Sequence, residues 1–385
     1  MTIIDVDSHL EVAVRPEDHP LRHLKELIPT SKEYVAAAVS GDLLHFTPAD
    51  DAPPVDIIGT MLNPVNASST RFATMEAGSG EPAFHDQTGD ERIKWMDEVG
   101  IDFALVNPGS IGIMASLFLS EQRREAFRRC NDFLVDWLNG HTNRLSPVAL
   151  VDWRDLNRAV EELQRMRARG SRAFWVRAKP YGGVSPAHPD WDRVWSAATD
   201  LGMIAVLHVG NTPPAFAGWA NAGWNQAGGT GVGGFFRYAN SMRHQSAEMM
   251  LGSLVYGGVF GRHPKLTVMT EELGIGWLPY FVRRCEGLSA AGPWPFESSP
   301  AEMARRHIRV APLRGLGDPD PFEDTFAAVR DMLVFCSDFP HGEGNADPIN
   351  ILEPGLSKLD SAFRSLFLGG NISECFARTG DPIVV

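Results

Sequence analysis

Cysteine is scarce in this chain and never paired. Cys130, Cys285, Cys336 and Cys375 are scattered through 385 residues with no Cys-x-x-Cys spacing. The pattern gives no support to a disulfide framework and fits reduced, mostly buried thiols. Long apolar runs are missing too. None approaches the roughly 18 residues that cross a bilayer. The N-terminus lacks the basic, apolar and small-residue succession of a signal peptide. These absences set the expectation of a cytoplasmic protein. Basic charge is also short: the net charge of -13 argues against nucleic acid and anionic membrane as partners. There is no internal repeat and no low-complexity tail. The run Gly228-Gly229-Thr230-Gly231-Val232-Gly233-Gly234 is no phosphate loop, because no Lys-Ser/Thr follows and no strand lies just before it. What remains is ordinary globular composition, 44% hydrophobic and 22% charged, with ample material for a large core.

Short β-like runs alternate with helical patterns, as in a parallel sheet with crossover helices. Strands are expected near Ile3–Val6, Phe103–Asn107, Ser146–Val151, Ala173–Val176, Ile204–His208, Leu266–Glu271, Ile308–Val310 and Leu333–Ser337. Helices are expected at Glu91–Val99, Glu121–Leu138, Asp155–Arg169, Trp191–Leu201 and Tyr238–Phe260, with Gly202 as a stop signal. The count suits an α/β fold of the eight-stranded (β/α)8 TIM-barrel type, formed by residues 1–385 as one domain. Two stretches exceed a minimal barrel. Residues 10–90 form a long insertion after the first strand, and residues 210–237 a long aromatic, glycine-rich loop after the fifth. Both follow strand C-terminal ends, where barrel enzymes build their sites. Loops of this length serve as lids, substrate pockets or oligomer contacts.

The informative signal is positional. Asp5-Val6-Asp7-Ser8-His9 follows a short apolar run, and alternation along a strand sends Asp5, Asp7 and His9 to one side. Polar groups on a buried strand are costly unless satisfied, and a metal ion satisfies them. The same pattern recurs. His208 closes a very apolar strand, Glu271 and Glu272 close the sixth, and Asp338 closes the eighth with His341 just beyond. Singly, each has a plain reading as a hydrogen-bonded core histidine, a turn cap or a helix cap. Recurrence at strands one, five, six and eight points to a metal centre. The donors are carboxylates and imidazoles without thiolate. Such a set suits iron or manganese at least as well as zinc, and three carboxylates carry enough charge for two divalent ions.

With these residues in view, the chain resembles the amidohydrolase-related branch of the amidohydrolase superfamily, which includes aminocarboxymuconate-semialdehyde and γ-resorcylate decarboxylases. The matching motifs are Ile4 to His9, Glu91 to Asp102, His208, Gly257 to Leu266, Glu272 to Tyr280 and Ser337 to His341. The resemblance implies a (β/α)8 barrel with metal at its C-terminal mouth. It puts Asp7, His9 and His208 at ligand positions and makes Asp338 a ligand or base. It gives Asp5 a supporting role, orienting His9 or a backbone turn. Three departures stand out. The first ligand is Asp7 rather than His or Glu. Glu272 stands where the decarboxylases carry a catalytic His. No Lys in the fourth strand suits a bridging carbamate, Lys179 lying just beyond.

These departures favour the subset of this branch that comprises dinuclear non-haem oxygenases. In that reading two metals, Fe/Fe or Mn/Fe, are held by Asp7, His9, His208, Glu272 and Asp338, with His244 or His341 as further ligands. Asp338, Glu272 and His341 are the catalytic candidates. Dioxygen hydroxylates an unactivated C–H of an apolar substrate held by Trp219, Trp224, Phe235 and Phe236, while Arg177 binds a substrate carboxylate. The first alternative is a hydrolase or non-oxidative decarboxylase of a carboxylic acid with one zinc or manganese. The second is a supporting subunit with a structural metal. A small-molecule substrate and a homodimer, or pairing with a homologous subunit, are expected.

Overall fold

The computed structural model describes residues 2–11, 88–109, 111, 112, 115, 120–211, 231–289, 291–312, 317–341 and 344–384. Seven strands form one parallel sheet in sequence order: β1 (Ile4–His9), β2 (Phe103–Asn107), β3 (Leu145–Ala149), β4 (Ala173–Trp175), β5 (Ile204–His208), β6 (Val268–Glu271) and β7 (Ile308–Val310). Helices occupy the crossovers: α1 (Gly89–Val99), α2 (Ser120–Trp137), α3 (Leu156–Ala168), α4 (Asp192–Asp200), α5 (Gly231–Tyr256), the short α6 (Val259–Arg262), α7 (Leu278–Gly287) and α8 (Pro300–His307). After β7 come α9 (Pro348–Leu356), α10 (Ser361–Ser365) and α11 (Asn371–Thr379). Parallel strands in sequence order with helical crossovers are the arrangement of a TIM-type barrel.

The eighth strand position is filled by an extended segment rather than a regular strand. Val334 N donates to Val310 O at 3.2 Å and Val6 N to Phe335 O at 3.1 Å, so Leu333–Ser337 joins β7 to β1 and closes the ring. Two of its donors leave the ladder. Phe335 N bonds Phe367 O at 3.1 Å, and Ser337 N bonds the Asp5 carboxylate at 2.8 Å. The expected helix Tyr238–Phe260 is corrected in the same way. It starts earlier, ends at Tyr256 and restarts at Val259, because Gly258 takes φ 73°, a left-handed conformation that glycine adopts at little cost.

Alternation sorts the strands. Ile204 and Val206 pack into one apolar cluster with Phe103, Leu105 and Trp175, while Ala205 and Leu207 pack into the helix-facing one. His208 continues the parity of Ile204 and Val206, and Asn107 that of Phe103 and Leu105. Both therefore arrive at the barrel mouth. In β1 the register slips between Asp5 and Ser8, one extra residue against β2. Such a bulge bends a strand and re-aims its side chains, here at the tip that carries Asp7 and His9.

Helix α1 braces that tip. Thr88 and Glu91 form a reciprocal capping box at its start, and Gly100 at φ 82° ends it. Its fully buried Arg92 donates to Ser8 Oγ and, at 2.8 Å, to His9 O. The guanidinium lies 5.0 Å from the Phe339 ring, and Trp95 stacks on that ring at 4.2 Å. One cation thus ties the ends of β1 and of the closing segment together. Among the described residues no helix is long and apolar enough to cross a membrane.

Candidate metal centre

Six of the sequence candidates meet at the mouth. His9 Nε2 lies 3.0 Å from Asp7 Oδ1, 3.1 Å from Glu272 Oε1 and 3.2 Å from Asp338 Oδ1. His208 Nε2 is 3.4 Å from Glu272 and 3.7 Å from Asp7. His341 Nδ1 faces Asp338 at 2.9 Å and Glu272 at 3.4 Å, and its ring lies 3.9 Å from that of His9. The donors form two overlapping quartets, Asp7–His9–His208–Glu272 and His9–Glu272–Asp338–His341, each with its ligand atoms within 4.8 Å of one another. His9 and Glu272 belong to both.

Local backbone geometry serves this convergence. Glu272 and Asp338, each directly after its strand or closing segment, have φ 54° and 52°. Left-handed backbone is unfavourable for residues with a Cβ, and such strain gathers at functional sites. Asp338 is pinned by its amide on Asp7 O at 2.7 Å. The chain turns tightly behind it: a Cβ on Gly344 would stand 2.3 Å from the Asp338 carbonyl oxygen. Asp5 stays outside both quartets. It accepts from Ser337 N at 2.8 Å and Ser337 Oγ at 2.5 Å, and so holds the closing turn rather than His9. Burial pushes its carboxyl up to about 7 against the pull of those two bonds.

The site is buried and over-supplied with acceptors. Asp7 Oδ2, His9 Nδ1 and Nε2, His208 Nε2, Glu271 Oε1 and Asp338 Oδ2 are buried without a directed hydrogen bond. Buried polar atoms are normally paired. Here they point at each other, and a divalent cation is the partner that carboxylate oxygens and imidazole nitrogens share. The residues therefore fit a metal. His208 Nδ1 accepts from Gly210 N at 3.0 Å, so ligation through Nε2 requires the proton to move to Nδ1 and that amide to turn away.

Electrostatics agree. Burial, then the Glu272 charge, pushes the Asp338 carboxyl up to about 8. Burial and Asp7 hold Glu271 well above the carboxylate range. Burial also opposes the charge on Glu272, yet His208, His341 and His9 outweigh it and hold that carboxylate well below its usual range. His341 is held well above the imidazole range: burial opposes its charge, but Asp338, Glu11 and Glu272 prevail. Protons thus do in the metal-free protein what a cation does in a loaded one.

Not every candidate joins. His244 sits half-buried on α5, 3.7 Å from Glu248 one turn on, and belongs to neither quartet. Arg177 lies past β4 in a cleft beside Trp175. Trp219 and Trp224 lie outside the described residues, as do the side chains of Phe235 and Phe236 and nearly all of the 10–90 insertion. Three participants escaped the sequence reading. Glu11 Oε1 lies 3.1 Å from His341 Nε2. Glu11 continues the spacing of Asp7 and His9, a legible signal. Asn107, the polar last residue of β2, donates to Asp7 Oδ1 at 2.8 Å and Glu271 Oε2 at 3.0 Å. Arg92 gave no signal, since a helical arginine is ordinarily exposed.

Comparison with known proteins agrees with this architecture. The amidohydrolase family model matches residues 33–377, and the chain belongs to that family. Among solved structures, an amidohydrolase from Mycobacterium avium subsp. paratuberculosis is 20% identical, with 98% of this chain and 99% of that chain covered and a TM-score of 0.63. A 2,6-dihydroxybenzoate decarboxylase from Rhizobium is 16% identical over 98% and 99%, with a TM-score of 0.60. A manganese complex of 5-carboxyvanillate decarboxylase from Novosphingobium aromaticivorans is 16% identical over 98% and 96%, with a TM-score of 0.61. The protein is thus a barrel of the amidohydrolase family with a metal-competent mouth.

Proposed function

We propose that this protein is a divalent-metal enzyme that decarboxylates, or hydrolyses, a small carboxylic acid without net oxidation. The observation that carries the reading is the His9-centred cluster, in which one imidazole nitrogen faces three buried carboxylates at 3.0 to 3.2 Å. Asp7, His9, His208 and Glu272 would hold the ion, manganese fitting the donor set and matching the decarboxylases of similar fold. When bound, it supplies Lewis acidity toward a substrate carboxylate or a water. Asn107 orients Asp7, and Asp5 orients the turn that carries Asp338. Loss of CO2 requires a proton in exchange. Asp338 and His341, 2.9 Å apart, are placed to hold and pass that proton. Glu272 stands where an imidazole is expected from the family resemblance, and a second ring tilted against His9 supplies one: His341 brings it from just past the closing segment. Glu272 is therefore no bar to decarboxylation.

A second reading rests on a different observation. Five buried carboxylates, Asp7, Glu11, Glu271, Glu272 and Asp338, gather at the mouth, and two quartets share Glu272. Two ions fit that charge, and a dinuclear Fe/Fe or Mn/Fe centre would support O2-dependent hydroxylation. That reaction consumes one O2, two protons and two electrons from an external donor for each C–OH and water formed. The test is product analysis with manganese-loaded and iron-loaded protein, without O2 and with O2 plus a reductant, on a panel of hydroxylated aromatic acids. CO2 release without O2, lost in Asp338→Asn, is the expected result. Turnover that needs O2 and a reductant, with O2 uptake matching product, would replace the first reading by the second.

A further inference from the structure

Two polar side chains buried at the mouth stand in neither quartet and carry no titrating proton. Asn107 ends β2 and Trp175 ends β4, 0% and 2% exposed. Asn107 Nδ2 donates to Asp7 Oδ1 at 2.8 Å and to Glu271 Oε2 at 3.0 Å. Its Oδ1 accepts from the Trp175 indole N–H at 2.7 Å. An amide has a donor end and an acceptor end, whereas an indole nitrogen only donates. Turned over, the amide would set its oxygen against the Asp7 carboxylate and its NH2 against the indole N–H. Trp175 thus decides which end of Asn107 meets Asp7. Trp153 steadies Trp175 in turn, its indole N–H on the Trp175 carbonyl at 3.1 Å.

The same indole reaches a second ligand. Trp175 stacks on His208, ring centres 4.9 Å apart and planes 25° from parallel. A metal-bound imidazole is ordinarily oriented by an acceptor on its other nitrogen. His208 Nδ1 meets a donor instead, the Gly210 amide at 3.0 Å. The flat contact with Trp175 is what sets the plane of the His208 ring. Strands β2 and β4 give no member to either quartet, yet one unit spanning them bears on Asp7 of β1 and on His208 of β5.

We propose that Trp175 is a positioning residue for the metal centre, acting on Asp7 through Asn107 and on His208 by stacking. The proposal rests on the metal-centre reading, and manganese titration of the metal-free full-length protein separates the two. Loss of the free-manganese EPR signal gives the Kd, and the bound spectrum reports the symmetry of the site. Trp175→Phe keeps a ring on His208 and removes the N–H. It should weaken manganese binding about tenfold and change the bound spectrum, as loss of a partner that orients a ligand does. Asn107→Ala should do the same, and serves alone if Trp175→Phe does not fold. The two substitutions together should cost no more than the larger single loss, because they break one link. Trp175→Leu in the Asn107→Ala protein should weaken binding further, since the stack goes too. Wild-type affinity and spectrum in either single variant, or losses that multiply in the double variant, would overturn the proposal with the metal centre intact. A wild type that binds no manganese would overturn it together with the metal-centre reading.

Discussion

Two buried polar regions lie at opposite ends of the same strands, and they are built differently. At the base, Arg309 directs its donors to Asn371 O at 3.1 Å, Arg305 O and Ile308 O at 2.9 Å, and Glu374 at 3.2 Å. His307 Nδ1 lies 2.6 Å from Leu266 O under the Phe260 ring. Asn371 donates to Arg330 O and Leu333 O. Donors there meet backbone acceptors, so the polar groups hold the fold. At the mouth, carboxylates meet carboxylates across imidazoles, and several atoms lack a directed bond. Such a cluster is stable only with added positive charge. Buried polarity thus has two meanings in one barrel, and the partner of each atom tells them apart.

The largest test of that contrast is the effect of metal itself. Manganese at about a thousand times its Kd should stabilise the wild type by about 4 kcal/mol, because only the folded mouth binds it. Denaturant unfolding with manganese and with a chelator measures this, and Asp7→Asn should lose the gain. A wild type indifferent to manganese would break the contrast. The base should behave in the opposite way. Arg309→Met removes a side-chain donor from three backbone carbonyls and should cost about 3 kcal/mol with or without manganese.

A pH experiment sharpens the comparison next. Burial, against the bond to Leu266 and with the nearby arginines, pulls His307 down to about 3. A histidine depressed on folding supports the native state above its unfolded pKa near 6.5 and loses that support as pH falls toward 3. At pH 5 the loss is about 2 kcal/mol. His307→Gln should remove that component from the stability difference between pH 7 and pH 5; an unchanged difference would show that His307 is not held neutral. The last test concerns Asp338. Its carboxyl, pushed up to about 8, costs folding free energy at neutral pH in the metal-free protein. Asp338→Asn should therefore raise metal-free stability while weakening manganese binding. A fall in metal-free stability would mean the carboxylate is structural, like the groups at the base.

The pattern of the sequence foretold much of this. Apolar runs followed by Asp7, His9, His208 and Glu272 read as strand tips; alternation delivers His208 to the mouth, while the bulge in β1 and the left-handed backbone of Glu272 bring the others there. Glu11 and Asn107 carry the same signal, Glu11 one step of alternation past His9 and Asn107 as the polar last residue of β2. The irregular eighth segment was not legible, since its ladder is broken by partners far away in sequence, Phe367 and Asp5. Nor was the exclusion of His244. Helical phase decides which way a side chain faces, and α5 begins seven residues before the expected helix. The choice between one-metal and two-metal chemistry depends on donor distances of a few tenths of an ångström, which no spacing rule supplies.

The most direct test of the account is the metal content of protein purified anaerobically, wild type beside His9→Ala. The account predicts about one equivalent or more of a divalent transition metal per wild-type chain, lost with His9, because that imidazole belongs to both quartets. A wild type with no more metal than the variant would contradict it.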